Sequence, residues 1–110
     1  MQHGSRKTSH YRASNGKDAF QEWFDGLKDV VGKAKVLNRI DRLEDGNFGD
    51  HRHIAGGVWE LRIHHGPGYR VYYGEDGPVI VILLCGGDKD SQRKDIHKAL
   101  EYWADYGRRK

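Results

Sequence analysis

The sequence predicts an α+β domain in which a small antiparallel sheet packs against an N-terminal helix pair and a C-terminal helix. Three observations predict it. Apolar residues recur at helical spacing in the first half of the chain, alternate with period two in the middle, and return to helical spacing at the end. The 110 residues suffice for one domain. We therefore expect a loose N-terminal arm over 1–16 and a single domain over 17–110.

Two helices are predicted before the sheet, over about 17–29 and 31–45. Asn15 is the expected cap of the first helix. Gly46 and Asn47 can adopt the left-handed conformation that ends the second. The short joint between the helices predicts an antiparallel pair. The apolar stripes that indicate the two helices are Phe20, Trp23, Phe24 and Leu27, then Val36, Leu37, Ile40 and Leu43.

Residues 58–64 and 69–73 alternate between apolar and polar side chains, which is typical of half-buried strands. Residues 79–84 are apolar at every position, which predicts a central strand covered on both faces. These segments form a three-stranded meander, with a possible edge strand near 11–13. A last helix is expected over about 91–106, capped by one of Asp88, Asp90 and Ser91, with Ile96, Ala99, Leu100 and Trp103 as its apolar stripe.

A turn centred on Gly66 and Pro67 pairs even-numbered positions with even-numbered ones, and paired residues share a face. The helices need the apolar face of Trp59, Leu61, Ile63, Val71 and Tyr73. The other face is therefore expected to meet solvent or a partner. It carries Glu60, Arg62, His64, Arg70 and Tyr72.

Two arginines on one small surface suit a phosphate, because the guanidinium fork binds phosphate oxygens in pairs. Tyr72 can stack on a base, and His64 can move a proton near neutral pH. Lys89 and Arg93 add positive charge if the start of the last helix lies over the sheet. The alternative is a solvated strand face in which Glu60 and Arg62 form an ordinary pair.

Composition limits the other classes of function. A net charge of +3 permits nucleic-acid binding without requiring it. No apolar run approaches the roughly 20 residues of a membrane span, and the N-terminus does not resemble a signal peptide. The single cysteine, Cys85, cannot form an internal disulfide, which favours the cytoplasm. The pairs His51–His53 and His64–His65 lack the spacing of a structural zinc site, so we expect no metal and no cofactor.

Several stretches resemble the RelE/ParE superfamily, in the branch of phage-derived HigB-type addiction-module killer proteins. They cover about 17–106 in order. They are Phe20 and Trp23 followed by LKD at 27–29, then Arg39, Arg42 and Leu43, GNFGD at 46–50, GVWELRI at 57–63, GPGYRVYY at 66–73, and LLCGGDK at 83–89 followed by Gln92, Asp95 and Ile96.

The resemblance implies a RelE-like fold and a type II toxin neutralised by a cognate helix-turn-helix antitoxin. It implies a metal-free endoribonuclease (an mRNA interferase) that cuts messenger RNA on the ribosome through attack by the ribose 2′-hydroxyl. Arg62, Arg70 and Lys89 match the family's basic residues. The acid or base falls to His97, or alternatively to His64.

Two other functions stay open on the sequence. The same fold serves ParE-like proteins that poison DNA gyrase by binding it. A degenerate toxin can also lose its activity and remain an antitoxin-binding module, in which case the apolar groove between the helices and the sheet edge is the working surface.

Overall fold

The computed structural model describes residues 5–110. Five strands form one sheet in the order β1-β5-β4-β3-β2, with β1 parallel to β5 and every other neighbouring pair antiparallel. The α+β class is confirmed, but the sheet is mixed and has five strands rather than an antiparallel meander of three. The elements are β1 (Lys7–His10), α1 (Ala19–Gly26), α2 (Val30–Glu44), β2 (His51–Ala55), β3 (Val58–Ile63), β4 (Tyr69–Asp76), β5 (Ile80–Gly87) and α3 (Gln92–Arg108).

The N-terminal edge strand exists, but it lies before the predicted position at 11–13. β1 pairs with β5, with Lys7 opposite Ile80. Tyr11 follows the strand and is buried, and its hydroxyl donates to Asp105 at 2.6 Å. The described part of the expected arm, residues 5–16, is therefore attached to the sheet, while residues 1–4 lie outside the described part.

The strand that the sequence did not reveal is β2. It forms a hairpin with β3 through a turn at Gly56, whose φ of +54° suits glycine. The strand lies at the sheet edge, so most of its side chains are exposed. Its sequence HRHIA therefore lacks the apolar alternation by which strands are recognised.

Aspartates cap both N-terminal helices. Asp18 accepts a hydrogen bond from the Gln21 N–H at 3.0 Å, which makes it the cap of α1 in place of Asn15. Asp29 caps α2 in the same way. The predicted end of α2 is confirmed, since Gly46 has a φ of +85° and the Asn47 N–H returns to the Arg42 carbonyl at 2.8 Å.

The helices divide between the two faces of the sheet. We call the face covered by α1 and α2 the front, and the face covered by α3 the back. The front core includes Leu61, Val71 and Tyr73, as predicted. Placing α3 on the front was wrong, because its apolar stripe packs on back-face residues such as Leu84. In addition, α1 lies mainly on β5 and α2 on β3 and β4, so their packing partner is the sheet more than each other.

An irregularity in β5 sets which of its residues face front or back. Tyr72 lies opposite Cys85 but Tyr73 lies opposite Leu83, so Leu84 is an extra residue in the strand. The bulge puts Leu84 and Cys85 in the same back core. It also turns Gly86 to the front, toward α1.

Two tryptophans lie directly on glycines of the sheet, one on each face. A Cβ built at Gly86 would lie 2.2 Å from the Trp23 ring on the front, and one at Gly74 would lie 2.3 Å from the Trp103 ring on the back. The absence of side chains at these two positions lets α1 and α3 approach the sheet closely.

Candidate functional site

The back face has the pairing that the sequence predicts but not the expected exposure. Arg62 lies opposite Arg70, and Glu60 lies opposite Tyr72. Glu60 and Tyr72 are fully buried, and Arg70 is 7% exposed. The prediction of a solvent-facing surface was therefore wrong for these three residues. The start of α3 covers them, and Tyr72 has no surface on which a base can stack.

Glu60 is the centre of a buried polar cluster that joins three strands and α3. Its Oε2 accepts from the Tyr72 hydroxyl and from Nε2 of Gln92, each at 2.8 Å. Its Oε1 lies 3.1 Å from Nε of Arg62 and 3.4 Å from Nε of Arg52. The carboxylate is therefore compensated by two cations and two neutral donors.

This environment keeps Glu60 ionised. Burial by itself raises the pKa of a carboxyl group. Here the hydrogen bonds from Gln92, Tyr72 and Arg62, together with the charge of Arg52, outweigh burial, so the pKa of Glu60 lies below its ordinary value. Burial and the adjacent carboxylate raise the pKa of Tyr72, which therefore remains a neutral donor.

Arg70 is a buried cation that, unlike Glu60, has no oppositely charged or hydrogen-bonding partner for its buried nitrogens among residues 5–110. Its Nε and Nη1 atoms are buried and have no hydrogen-bond partner among residues 5–110. Lys89 lies beside it: a Cβ at Gly68 would be 2.9 Å from Cγ and Cδ of Lys89 and 3.8 Å from Nη1 of Arg70. The backbone of Lys89 also donates to the Pro67 carbonyl at 3.4 Å. The structure thus brings Arg70 and Lys89 together, while Arg62 lies opposite Arg70 in the sheet with its Nε at Glu60.

His64 does not lie with these basic residues. β3 ends at Ile63, so the alternation of a strand no longer fixes the direction of the next side chain. The His64 ring bonds to Asp50, and it lines a groove with Arg39 and Arg42 of α2. The expectation that His64 shares a face with Arg62 and Arg70 was wrong.

Arg93 and His97 are exposed residues of α3, four positions apart and so on one side of the helix. They line a groove of about 480 Å³ together with Arg52, Gln92 and Ile96. Because Arg52 and Gln92 also contact Glu60, this groove adjoins the polar cluster. His97, rather than His64, is therefore the histidine near the basic residues of the back face.

Sequence reasoning missed Arg52 and Gln92 as members of the site. Arg52 was hidden because β2 was not recognised, and its neighbours His51 and His53 drew attention only as candidate metal ligands. A usable signal existed, since Gly56 and Gly57 separate two short stretches at hairpin spacing. Gln92 stood within the resemblance, but its contact with Glu60 requires α3 to lie on the back face.

The two histidines of each candidate metal-binding pair contact different groups. His51 contacts the Gly49 carbonyl and His53 the Gly56 carbonyl, while His65 contacts Asp29. Across residues 5–110, no three side chains of His, Cys, Asp or Glu converge as a metal site would require.

No helix within residues 5–110 has both the length and the apolar character needed to cross a lipid bilayer.

The fold and the site together define a small α+β protein with a cationic surface at one end of its sheet. The chain belongs to the family described as Phage derived protein Gp49-like (DUF891), whose model matches residues 22–103. This is a family of the RelE/toxin-type addiction-module killer proteins, which implies an antitoxin partner. A protein of Haemophilus influenzae (strain ATCC 51907 / DSM 11121 / KW20 / Rd), described as uncharacterized, is 52% identical over 80 residues, or 73% of this chain and 81% of the relative.

Proposed function

We propose that the chain is the toxin of a type II toxin–antitoxin pair and cuts messenger RNA on the ribosome, with Arg70 and Lys89 holding the scissile phosphate. Family membership supports the toxin role. The observation that supports the RNA-cutting role is the guanidinium of Arg70, which is buried beside Lys89 and has two nitrogens without a hydrogen-bond partner among residues 5–110.

A buried guanidinium with unpaired N–H groups is unfavourable, because its lost hydration is not replaced. A phosphate beside the 7% of the residue that stays exposed supplies the opposite charge that this buried guanidinium lacks. Lys89 is exposed and can reach the same anion. The positive surface therefore fits a phosphodiester better than a neutral ligand.

The proposed cleavage is a transfer at phosphorus. The ribose 2′-oxygen forms a bond to phosphorus while the bond from phosphorus to the 5′-oxygen breaks, which leaves a 2′,3′-cyclic phosphate and a 5′-hydroxyl. A base removes the 2′-hydroxyl proton, and an acid protonates the departing 5′-oxygen. We assign one of these roles to His97, since imidazole exchanges protons near neutral pH. Arg70 and Lys89 stabilise the charge that develops on the phosphate oxygens.

The test is cell-free translation of a defined reporter messenger RNA, with new 5′ ends mapped by primer extension in the presence and absence of ribosomes. Arg70→Ala is compared with Arg108→Ala, a matched control at an exposed arginine near the end of α3 whose only ion-pair partner among residues 5–110 is Asp105. We expect ribosome-dependent cuts, slowed about 10²–10³-fold by Arg70→Ala and unchanged by Arg108→Ala. A thermal melt of each variant verifies folding.

Other results have distinct meanings. Cuts at full rate in Arg70→Ala would mean that the phosphate lies elsewhere. If no cuts occur and translation proceeds, messenger RNA is not the target. A supercoiling assay then separates a gyrase poison from a module that only binds its antitoxin.

A further inference from the structure

Arg52 and Arg62 contact the same oxygen of Glu60, and both do so through Nε. The distances from Oε1 are 3.4 Å to Arg52 and 3.1 Å to Arg62. Among residues 5–110 the terminal nitrogens of Arg52 and Arg62 make no hydrogen bond, so their N–H groups can donate to a ligand. The two side chains keep 47% and 30% of their surface exposed, whereas that of Glu60 is fully buried.

We infer that Glu60 is a positioning residue that holds Arg52 and Arg62 as a second phosphate site, so that this surface binds two phosphates of one RNA strand. The inference rests on the proposed function and extends it. The first phosphate lies at Arg70 and Lys89. The second lies at the paired forks of Arg52 and Arg62, beside the groove that Arg93 and His97 line.

The sheet keeps the two sites apart. Arg52 is on β2 and Arg70 is on β4, the strands on either side of β3, so their backbones are about 10 Å apart across the sheet. Arg62 lies on β3 opposite Arg70, but its Nε is held at Glu60, whose backbone is opposite Arg52. Each arginine is also fixed in its own place. Arg52 is held at Glu60, and the Nε and Nη1 atoms of Arg70 are enclosed by protein. A single phosphate is too small to occupy both places, whereas an extended strand offers phosphates in succession.

Glu60 itself is too enclosed to touch the RNA. It is fully buried, and its four contacts use both carboxylate oxygens. Tyr72 and Gln92 hold it in place from β4 and α3, and β3 carries it. The second phosphate site therefore depends on the packing of α3 against the back face of the sheet.

The test measures binding without cleavage. The probe is a short single-stranded oligoribonucleotide with 2′-methoxy groups, which cannot be cut by 2′-hydroxyl attack. Its affinity is measured by fluorescence anisotropy over a range of KCl concentrations. Each phosphate contact contributes about 0.7 to the slope of log affinity against log salt. We expect Arg52→Ala and Arg70→Ala each to reduce the slope by about 0.7, and Arg108→Ala to leave it unchanged.

Glu60→Gln distinguishes two possible roles of Glu60, because the two roles predict opposite changes in RNA affinity. If Glu60 only places a negative charge near the RNA, its neutralisation strengthens binding. If Glu60 positions the arginine forks, its neutralisation weakens binding although a negative charge has been removed. We expect weaker binding, with the melting temperature measured in parallel to verify the fold.

Each outcome addresses one part of the inference. Tighter binding by Glu60→Gln would overturn the positioning role, and an unchanged slope in Arg52→Ala would overturn the second phosphate site. An effect of Arg52→Ala without one of Arg70→Ala would reject the first site, and with it the proposed function. If the unaltered protein does not bind the probe at low salt, neither phosphate site exists.

Discussion

The two faces of the sheet differ in what they bury. The front buries apolar and aromatic side chains beneath α1 and α2, including Phe20, Val36 and Leu61. The back buries a second apolar cluster beneath α3, and with it the charged residues Glu60, Arg70 and Asp95. Both faces carry a tryptophan on a glycine, so they are packed in a similar way.

The two faces therefore differ in the free-energy cost of the side chains that they bury. Burial of apolar side chains stabilises the fold, whereas burial of a charge costs free energy unless partners replace its hydration. Glu60 has such partners and Arg70 lacks them. Apolar burial on both faces therefore holds the domain together, and the back in addition carries a charge that a ligand can compensate.

The largest loss of stability is expected from glycine-to-alanine substitutions that test whether the two faces are equally well packed. Gly86→Ala places a methyl group into the Trp23 ring on the front, and Gly74→Ala places one into the Trp103 ring on the back. We expect both to destabilise the protein near the upper end of the about 1–3 kcal/mol range for overpacked cores, as measured by urea unfolding.

The control for that pair is Gly26→Ala at the end of α1, where a Cβ meets nothing within 4 Å. It should be neutral or slightly stabilising, since alanine restricts the unfolded chain. If Gly74→Ala were tolerated as well as Gly26→Ala, the back face would be more loosely packed than the front.

A smaller change in the free energy of unfolding is expected when the hydroxyl is removed from either of two adjacent tyrosines that lie on opposite faces of the sheet. On the back, the Tyr72 hydroxyl donates to Glu60, so Tyr72→Phe should cost about 1.5 kcal/mol as the loss of a hydrogen bond to a charged group. On the front, the buried Tyr73 hydroxyl has no hydrogen-bond partner among residues 5–110, so Tyr73→Phe should be neutral or stabilising. Equal losses in the two variants, measured by urea unfolding, would contradict the polar contrast between the faces.

The smallest effect is the pH dependence of stability that Glu60 contributes on the back face. The hydrogen bonds of Glu60 lower its pKa in the folded state. The stability it provides is therefore present above the ordinary pKa of about 4.3 and is lost as the pH falls through the folded value. Unfolding free energies of Glu60→Gln and the unaltered protein should accordingly converge on acidification.

Asp95 should behave in the opposite sense. Burial raises its pKa, although the hydrogen bond from Ser91 opposes this. Its charged form is then unfavourable in the folded state at neutral pH, and the penalty disappears as the pH falls through the raised pKa. We expect Asp95→Asn to be more stable than the unaltered protein at neutral pH, with the advantage shrinking in acid. An advantage that grew in acid would show that the carboxylate is stabilising.

Local sequence patterns were enough to predict the helices and strands of the front face. The stripe of α1, the alternation in β3 and the signal at Gly46 each depend on residues close together in sequence, and each was predicted correctly in kind. The even-to-even pairing of β3 with β4 also followed from a short turn. These features need no knowledge of distant parts of the chain.

The back face depended on distant residues and was only partly predictable. An apolar stripe on α3 shows that the helix needs a partner but not which face of the sheet provides it. Once α3 lies on the back, Tyr72 becomes buried and Gln92 reaches Glu60. The edge strand β2 brings Arg52 to the same carboxylate. The basic residue types were visible in the sequence, but their burial and pairing were not.

The parallel pairing of β1 with β5 bears on when the domain can fold. The first strand to be synthesised pairs with the last one, and such long-range contacts give a high contact order and slow folding. α3, which completes the back face, is made later still. The topology therefore delays folding until β5 and α3 have both been made. For a protein that we propose acts on translating ribosomes, this means that its site is assembled only after α3 has been synthesised.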